Sequence, residues 1–239
     1  MIDDTKKMDY EFALYGGLTI NYQNIYIKSL TIDEIRYKYG LSIILQLMHL
    51  STLTCKQFKT NDNLSLFELI IESELKEMLD VFVNIFLEFD SVEFGKKTKS
   101  YYFKRGSEIG VLNKDNFDEF LEVFRMAYCI DKTPRESERD DIDEELREIL
   151  RGFEEEEDKI RNARGNTITI NSMIKAICCR HPSLNCLNIG RCTIYQLKCD
   201  LVRLYQIDAN VYINTGVYTG NISSKDIKID DYNWAKELN

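Results

Sequence analysis

The sequence predicts a mainly helical protein with small β-hairpins, an α+β fold. Three observations predict it. Period-two alternation of apolar residues gives way to helical spacing at Thr31 and again after Gly110. The stretch from Ser65 to Phe89 carries apolar side chains on more than one stripe, as a helix buried on two sides requires. Only two prolines, Pro134 and Pro182, interrupt the 239 residues, and an apolar share of 44% suffices for a core. Composition divides the chain into an N-terminal α+β domain over 1–130, an acidic helical linker over 131–165 and a C-terminal helical subdomain over 166–239.

The elements follow in order. Leu18, Ile20 and Tyr22, then Ile25 and Ile27, alternate around Gln23-Asn24, which reads as the tight turn of a hairpin spanning Leu18 to Lys28. Tyr15-Gly16-Gly17 before it is a turn. Thr31 and Glu34 have the spacing of a capping box, and one helix is expected from there through Leu50, weakened at Gly40. Ser65–Phe89 reads as one helix. Val92 to Phe103 reads as a second hairpin with a lysine-rich tip, and Asp115 as the cap of a helix running to Ile130. Between Pro134 and Arg164, 13 acidic residues stand against 7 basic ones around one thin apolar stripe, the pattern of an exposed charged helix or linker. Gly165 stops it. Asn171 or Ser172 would cap a short helix that Pro182 ends.

From Thr193 onward Ile194, Leu197, Leu201 and Leu204 recur at three-four-three spacing. This predicts a capped helix with a buried seam, widened by Tyr195, Val202 and Tyr205. Aromatic rings with polar tips suit the rim of an interface. Tyr195, Gln196, Tyr205 and the single tryptophan, Trp234, are the candidate partner contacts.

The chemistry argues against several function classes. A net charge of −9 repels phosphate backbones, so no nucleic-acid partner is expected. The densest basic stretch, Phe94 to Gly106, reads as a hairpin with a solvated tip. No stretch reaches membrane-spanning length, and the first residues lack the apolar region of a secretory leader. Seven cysteines in that setting predict reduced, free thiols. Cys178, Cys179 and His181 resemble half a zinc site, but no second close pair completes it. Cys192 and Cys199, seven apart, share a helix face as small packing residues. Of the two histidines, His49 reads as a hydrogen-bonded core residue. No GxSxG, HExxH or glycine-rich phosphate loop occurs, so no catalytic residue, metal site or cofactor is assigned. The helix pair around Pro182 could be a DNA-reading helix-turn-helix, the alternative reading. The second helix offers only Gln196 and Lys198 near its start, and the connection exceeds three to four residues.

The segment "LNIGRCTIYQLKCDLVRLYQID", preceded by "INSMIKAICCRHPSLN", resembles the C-terminal segment of poorly characterised proteins encoded among the tail and baseplate morphogenesis genes of bacteriophages and prophages of low-G/C Gram-positive bacteria. The matching positions are Ser183 to Asn185, Leu187 to Ile189 and Thr193 to Leu197, followed by Asp200, Arg203 and Leu204. "IYIKSLTIDEIRYKYGLSIILQLM" is similar as a strand leading into a capped helix. The sequence departs from the pattern at Gly190-Arg191, where a bulky apolar or aromatic residue is expected. The resemblance carries over no catalytic residues. It implies a non-enzymatic role in tail or baseplate assembly through contacts with other phage proteins. The protein would be oligomeric within an assembly, and would act as an assembly factor in the host cytoplasm or as a component of the virion.

Overall fold

The computed structural model describes residues 3–58, 64–130 and 169–223. The acidic linker and Trp234 lie outside the described residues. Within them the fold is mainly helical, with two small antiparallel sheets of three strands each.

A helix not expected from the sequence, α1 (Asp4–Tyr15), opens the chain. Only Leu14 on it is buried, so its apolar residues do not mark one inward face. Gly17, at φ 70°, turns the chain into β1 (Ile20–Tyr22) and β2 (Ile25–Ile27). Gln23 and Asn24 both adopt positive φ, 48° and 64°, which matches the tight primed turn that a twisted hairpin needs. Ile20 pairs with Ile27, and Ile27 pairs in turn with Leu87 of β3 (Leu87–Glu88).

After β2 the Thr31 N–H donates to Glu34 Oε2 at 2.8 Å and the Glu34 N–H to Thr31 Oγ1 at 3.2 Å, the expected capping box. The helix beyond is not continuous. A π-helical segment (Glu34–Tyr39) ends at Gly40, whose φ of 86° breaks the run before α2 (Leu41–His49). His49 is exposed and bonds the Thr52 hydroxyl at 3.0 Å, so it is not the core histidine expected.

The Ser65–Phe89 stretch also divides, into α3 (Leu66–Glu72) and α4 (Leu75–Phe86). Ser73 makes the break: its hydroxyl donates to Ile70 O and accepts from the Leu75 N–H, replacing helix bonds with local ones. The stretch then leaves the helix at Leu87 because β2 recruits it as a strand.

The second hairpin gains a third strand. β4 (Ser91–Gly95), β5 (Ser100–Arg105) and β6 (Glu108–Leu112) form a meander, with Lys99 and Gly106 at positive φ in its turns. Gly110 of β6 lies so close to the Asn24 backbone and Ile25 that a Cβ would collide with them, and this contact joins the two sheets. Helix α5 (Phe117–Tyr128) is set by Asn113 and Asn116 and not by Asp115: the Asn116 Oδ1 accepts from the Asn113 N–H and the Asn113 Oδ1 from the Asp115 N–H.

Phenylalanines join α4 and α5. Phe82 meets Phe124 at 4.6 Å between ring centres, and Phe86 meets Tyr128 at 5.0 Å. The Tyr128 hydroxyl donates to Lys28 O at 2.7 Å, tying this core to the exit of the first hairpin. The C-terminal part supplies α6 (Ile170–Arg180), capped by Thr169 with Ser172 at its third position and not by Asn171 or Ser172, and α7 (Ile194–Tyr218). Ile177, Ile189, Ile194 and Leu197 join the same buried cluster as Leu14, Phe82 and Phe124.

Candidate partner-binding surface

The first turns of α7 are held from several sides. The Thr193 N–H donates to Gln196 Oε1 at 2.9 Å and the Gln196 N–H to Thr193 Oγ1 at 3.2 Å. The five residues Thr193 to Leu197, T-I-Y-Q-L, repeat the pattern of Thr31 to Ile35, T-I-D-E-I. The two capped helix starts meet: Thr31 and Thr193 form an antiparallel bridge, and the Ile32 N–H donates to Cys192 O at 2.9 Å. Gly190 sits against the Asp33 carboxylate so closely that a Cβ would displace it, which is the local reason for glycine at this position. Gln196 Nε2 reaches Tyr15 O at 2.8 Å, and Lys198 Nζ reaches Cys129 O at 3.1 Å. The sequence shows the Thr31 cap and a capped start for α7; only the fold assigns the second cap to Thr193 and shows that the two face each other.

Of the expected seam, Ile194 and Leu197 are buried, Leu197 to 0% exposure, whereas Leu201 and Leu204 are half-buried against the same cluster. Tyr195 and Gln196, expected at a partner rim, are used inside the chain. Tyr195 is half-buried, and burial, with the Cys199 thiol and Glu11 nearby, pushes its hydroxyl up. Burial likewise raises the Cys199 thiol and the Asp200 carboxyl, the latter opposed by His181. The His181 Nδ1 accepts the N–H groups of Ser183 and Leu184, so this histidine shapes the turn after α6. The described cysteines are all free thiols. Among the described residues no cluster of three or more His, Cys, Asp or Glu side chains could hold a metal ion.

The far end of α7 is different. Tyr205 is 74% exposed and Tyr212 76%. Ile207, Val211 and Tyr218, spaced four and seven apart, share a second exposed face, with Tyr218 at 91%. Arg180 pairs with Asp208, which fastens α6 alongside. Sequence reading missed Ile207, Val211, Tyr212 and Tyr218, although their spacing was visible. It also missed an exposed α1 stripe of Met8, Phe12 and Tyr15, with Phe12 84% exposed. A cleft beside α5, lined by Leu53, Thr54, Leu66, Asp118, Glu122 and Arg125, mixes charges of both signs, and Arg125 donates to Ser51 O at 2.8 Å.

Among the described residues no helix is long and apolar enough to cross a membrane. No curated protein and no solved structure matches the chain. Residues 159–239 match the family model described as the YomV second domain, so the C-terminal third, with α6 and α7, is similar to a phage-associated domain.

Proposed function

We propose that this is a non-enzymatic phage morphogenesis protein that acts through protein contacts in tail or baseplate assembly. It would work in the host cytoplasm during assembly and either leave or stay with the virion. The observation that carries this reading is the distal part of α7, where Ile207, Val211 and Tyr218 stand exposed on one face inside the region similar to a phage-associated domain. Apolar side chains grouped this way, with an aromatic among them, favour a protein partner. Tyr205 is exposed with Tyr212 on a different face of the same turns and is a second candidate contact. Tyr195 and Gln196 belong to neither face, because Gln196 holds the helix start and Tyr195 is half-buried against the core beside Cys199.

The DNA-binding alternative draws less support. Gln196 and Lys198, the two side chains a recognition helix would present, bond Tyr15 O and Cys129 O. The connection between α6 and α7 runs through residues 181–193, far longer than a helix-turn-helix allows. The test is the double variant Val211→Arg, Tyr218→Ser in an infected or induced host. The expected result is a folded protein with a sharp fall in intact, infectious particles. Normal particle yield would contradict the proposal, as would a salt-dependent shift of duplex DNA by the purified protein.

A further inference from the structure

The outward face of α2 carries no charge. From Leu41 to Cys55 the sequence holds no aspartate, glutamate, lysine or arginine, yet Ile43 and Leu45 stand exposed on that helix, Leu45 to 48%. A solvated helix face normally presents charged side chains to water. Here Ser42, Gln46 and His49 are the only polar residues of the helix.

Helix α4 lies beside it. Leu45, Gln46 and His49 of α2 and Met78 of α4 line a shallow hollow of about 470 Å³. Val81, one turn beyond Met78, is exposed and extends the apolar floor along α4. Glu74 and Glu77, both exposed, each stand one turn before Met78 and Val81, so they form an acidic rim on the same side of the helix. The lysine of α4 is engaged elsewhere: Lys76 pairs with Asp80 at 2.7 Å and lies over the Phe94 ring. Arg36 and Lys38, before Gly40, lie over the rings of Tyr37 and Tyr39.

An apolar floor with an acidic rim fits an amphipathic helix whose apolar face is flanked by basic residues. A second copy of the chain fits less well, because it brings another Glu74 and Glu77 and a further net charge of −9 to the same face. We propose that the hollow between α2 and α4 docks a basic amphipathic helix of a partner protein. An apolar anchor of that helix fills the space between Leu45 and Met78, and its lysine or arginine side chains face Glu74 and Glu77. The surface belongs to other elements than the distal face of α7 and does not depend on the morphogenesis reading.

The probe is a fluorescein-labelled amphipathic model helix of leucine and lysine, with a leucine–glutamate helix as its counterpart, titrated with the full-length protein and followed by anisotropy. The lysine helix should bind and the glutamate helix should not. Leu45→Arg should weaken binding about tenfold, because it removes a floor residue and adds a repelling charge. Glu77→Gln, a surface change, should weaken it several-fold. Val211→Arg on distal α7 alters the net charge by the same amount and should leave binding unchanged, which separates this surface from the α7 face and from bulk attraction to an acidic chain. Circular dichroism should show equal helix content in all three variants. Several results would overturn the proposal: no binding of the lysine helix, binding of both helices alike, or equal losses in Leu45→Arg and Val211→Arg. Self-association of the parent chain that Leu45→Arg abolishes would make a second copy the occupant, and sedimentation with phosphatidylcholine vesicles that it abolishes would make it a membrane.

Discussion

Helix α7 places its two ends in opposite surroundings. At Thr193 to Leu197 it is capped, bridged to the start of another capped segment, bonded to α1 through Gln196, and buried at Ile194 and Leu197. From Tyr205 to Tyr218 it exposes three tyrosines, a valine and an isoleucine, with α6 held alongside by the Arg180–Asp208 pair. Both ends carry apolar residues at three-four spacing. The spacing states that a face needs covering. It does not state whether the cover comes from the chain's own core or from another protein.

Four substitutions would break or sharpen this contrast. The largest effect belongs to Leu197→Ala, which empties a fully buried site and should cost about 2–5 kcal/mol in urea unfolding. Leu201→Ala, one turn on and half-buried, should cost about 1–2 kcal/mol, because less apolar surface returns to water. Equal losses at the two positions would mean that burial does not decline along the helix. Thr193→Ala removes the cap and should cost about 1 kcal/mol, measurable as a lower thermal midpoint. Serine at the same position should restore most of the loss.

Asp200→Asn tests the boundary between the two ends through pH. Burial raises the Asp200 carboxyl above its ordinary value of 3.8. The folded state therefore holds the proton more tightly than the unfolded chain. This contribution is fully present below the unfolded value and is lost as pH rises through the folded one. The amide side chain removes the charge that burial disfavours, so the variant should be more stable than the parent at neutral pH, with the gain disappearing below pH 3.8. A variant less stable at neutral pH would show that the carboxylate makes a favourable contact.

The sequence was legible where a local rule decides the structure. Gln23-Asn24 makes its hairpin because both residues tolerate positive φ, and Thr31–Glu34 makes its cap because the spacing lets each satisfy the other's backbone. It was illegible where two segments compete for the same residues. Leu87 fits a helix by periodicity, yet β2 takes it as a strand partner. Ser73 divides a strongly periodic run by bonding its own backbone. At the candidate surface, Tyr195 and Tyr205 look alike in sequence. One packs beside Cys199 and Glu11, and the other is exposed, because only the first lies where α1 and the end of α5 approach the helix.

Hydrogen exchange along α7 in the full-length protein tests the central contrast most directly. Amides from Leu197 to Leu204 should exchange only through global unfolding, and those from Val211 to Tyr218 should exchange earlier, through local opening of a helix end with few buried contacts. Uniform protection from Leu197 to Tyr218 would contradict the account, because it would make the distal turns part of the same cooperative core as the anchored ones.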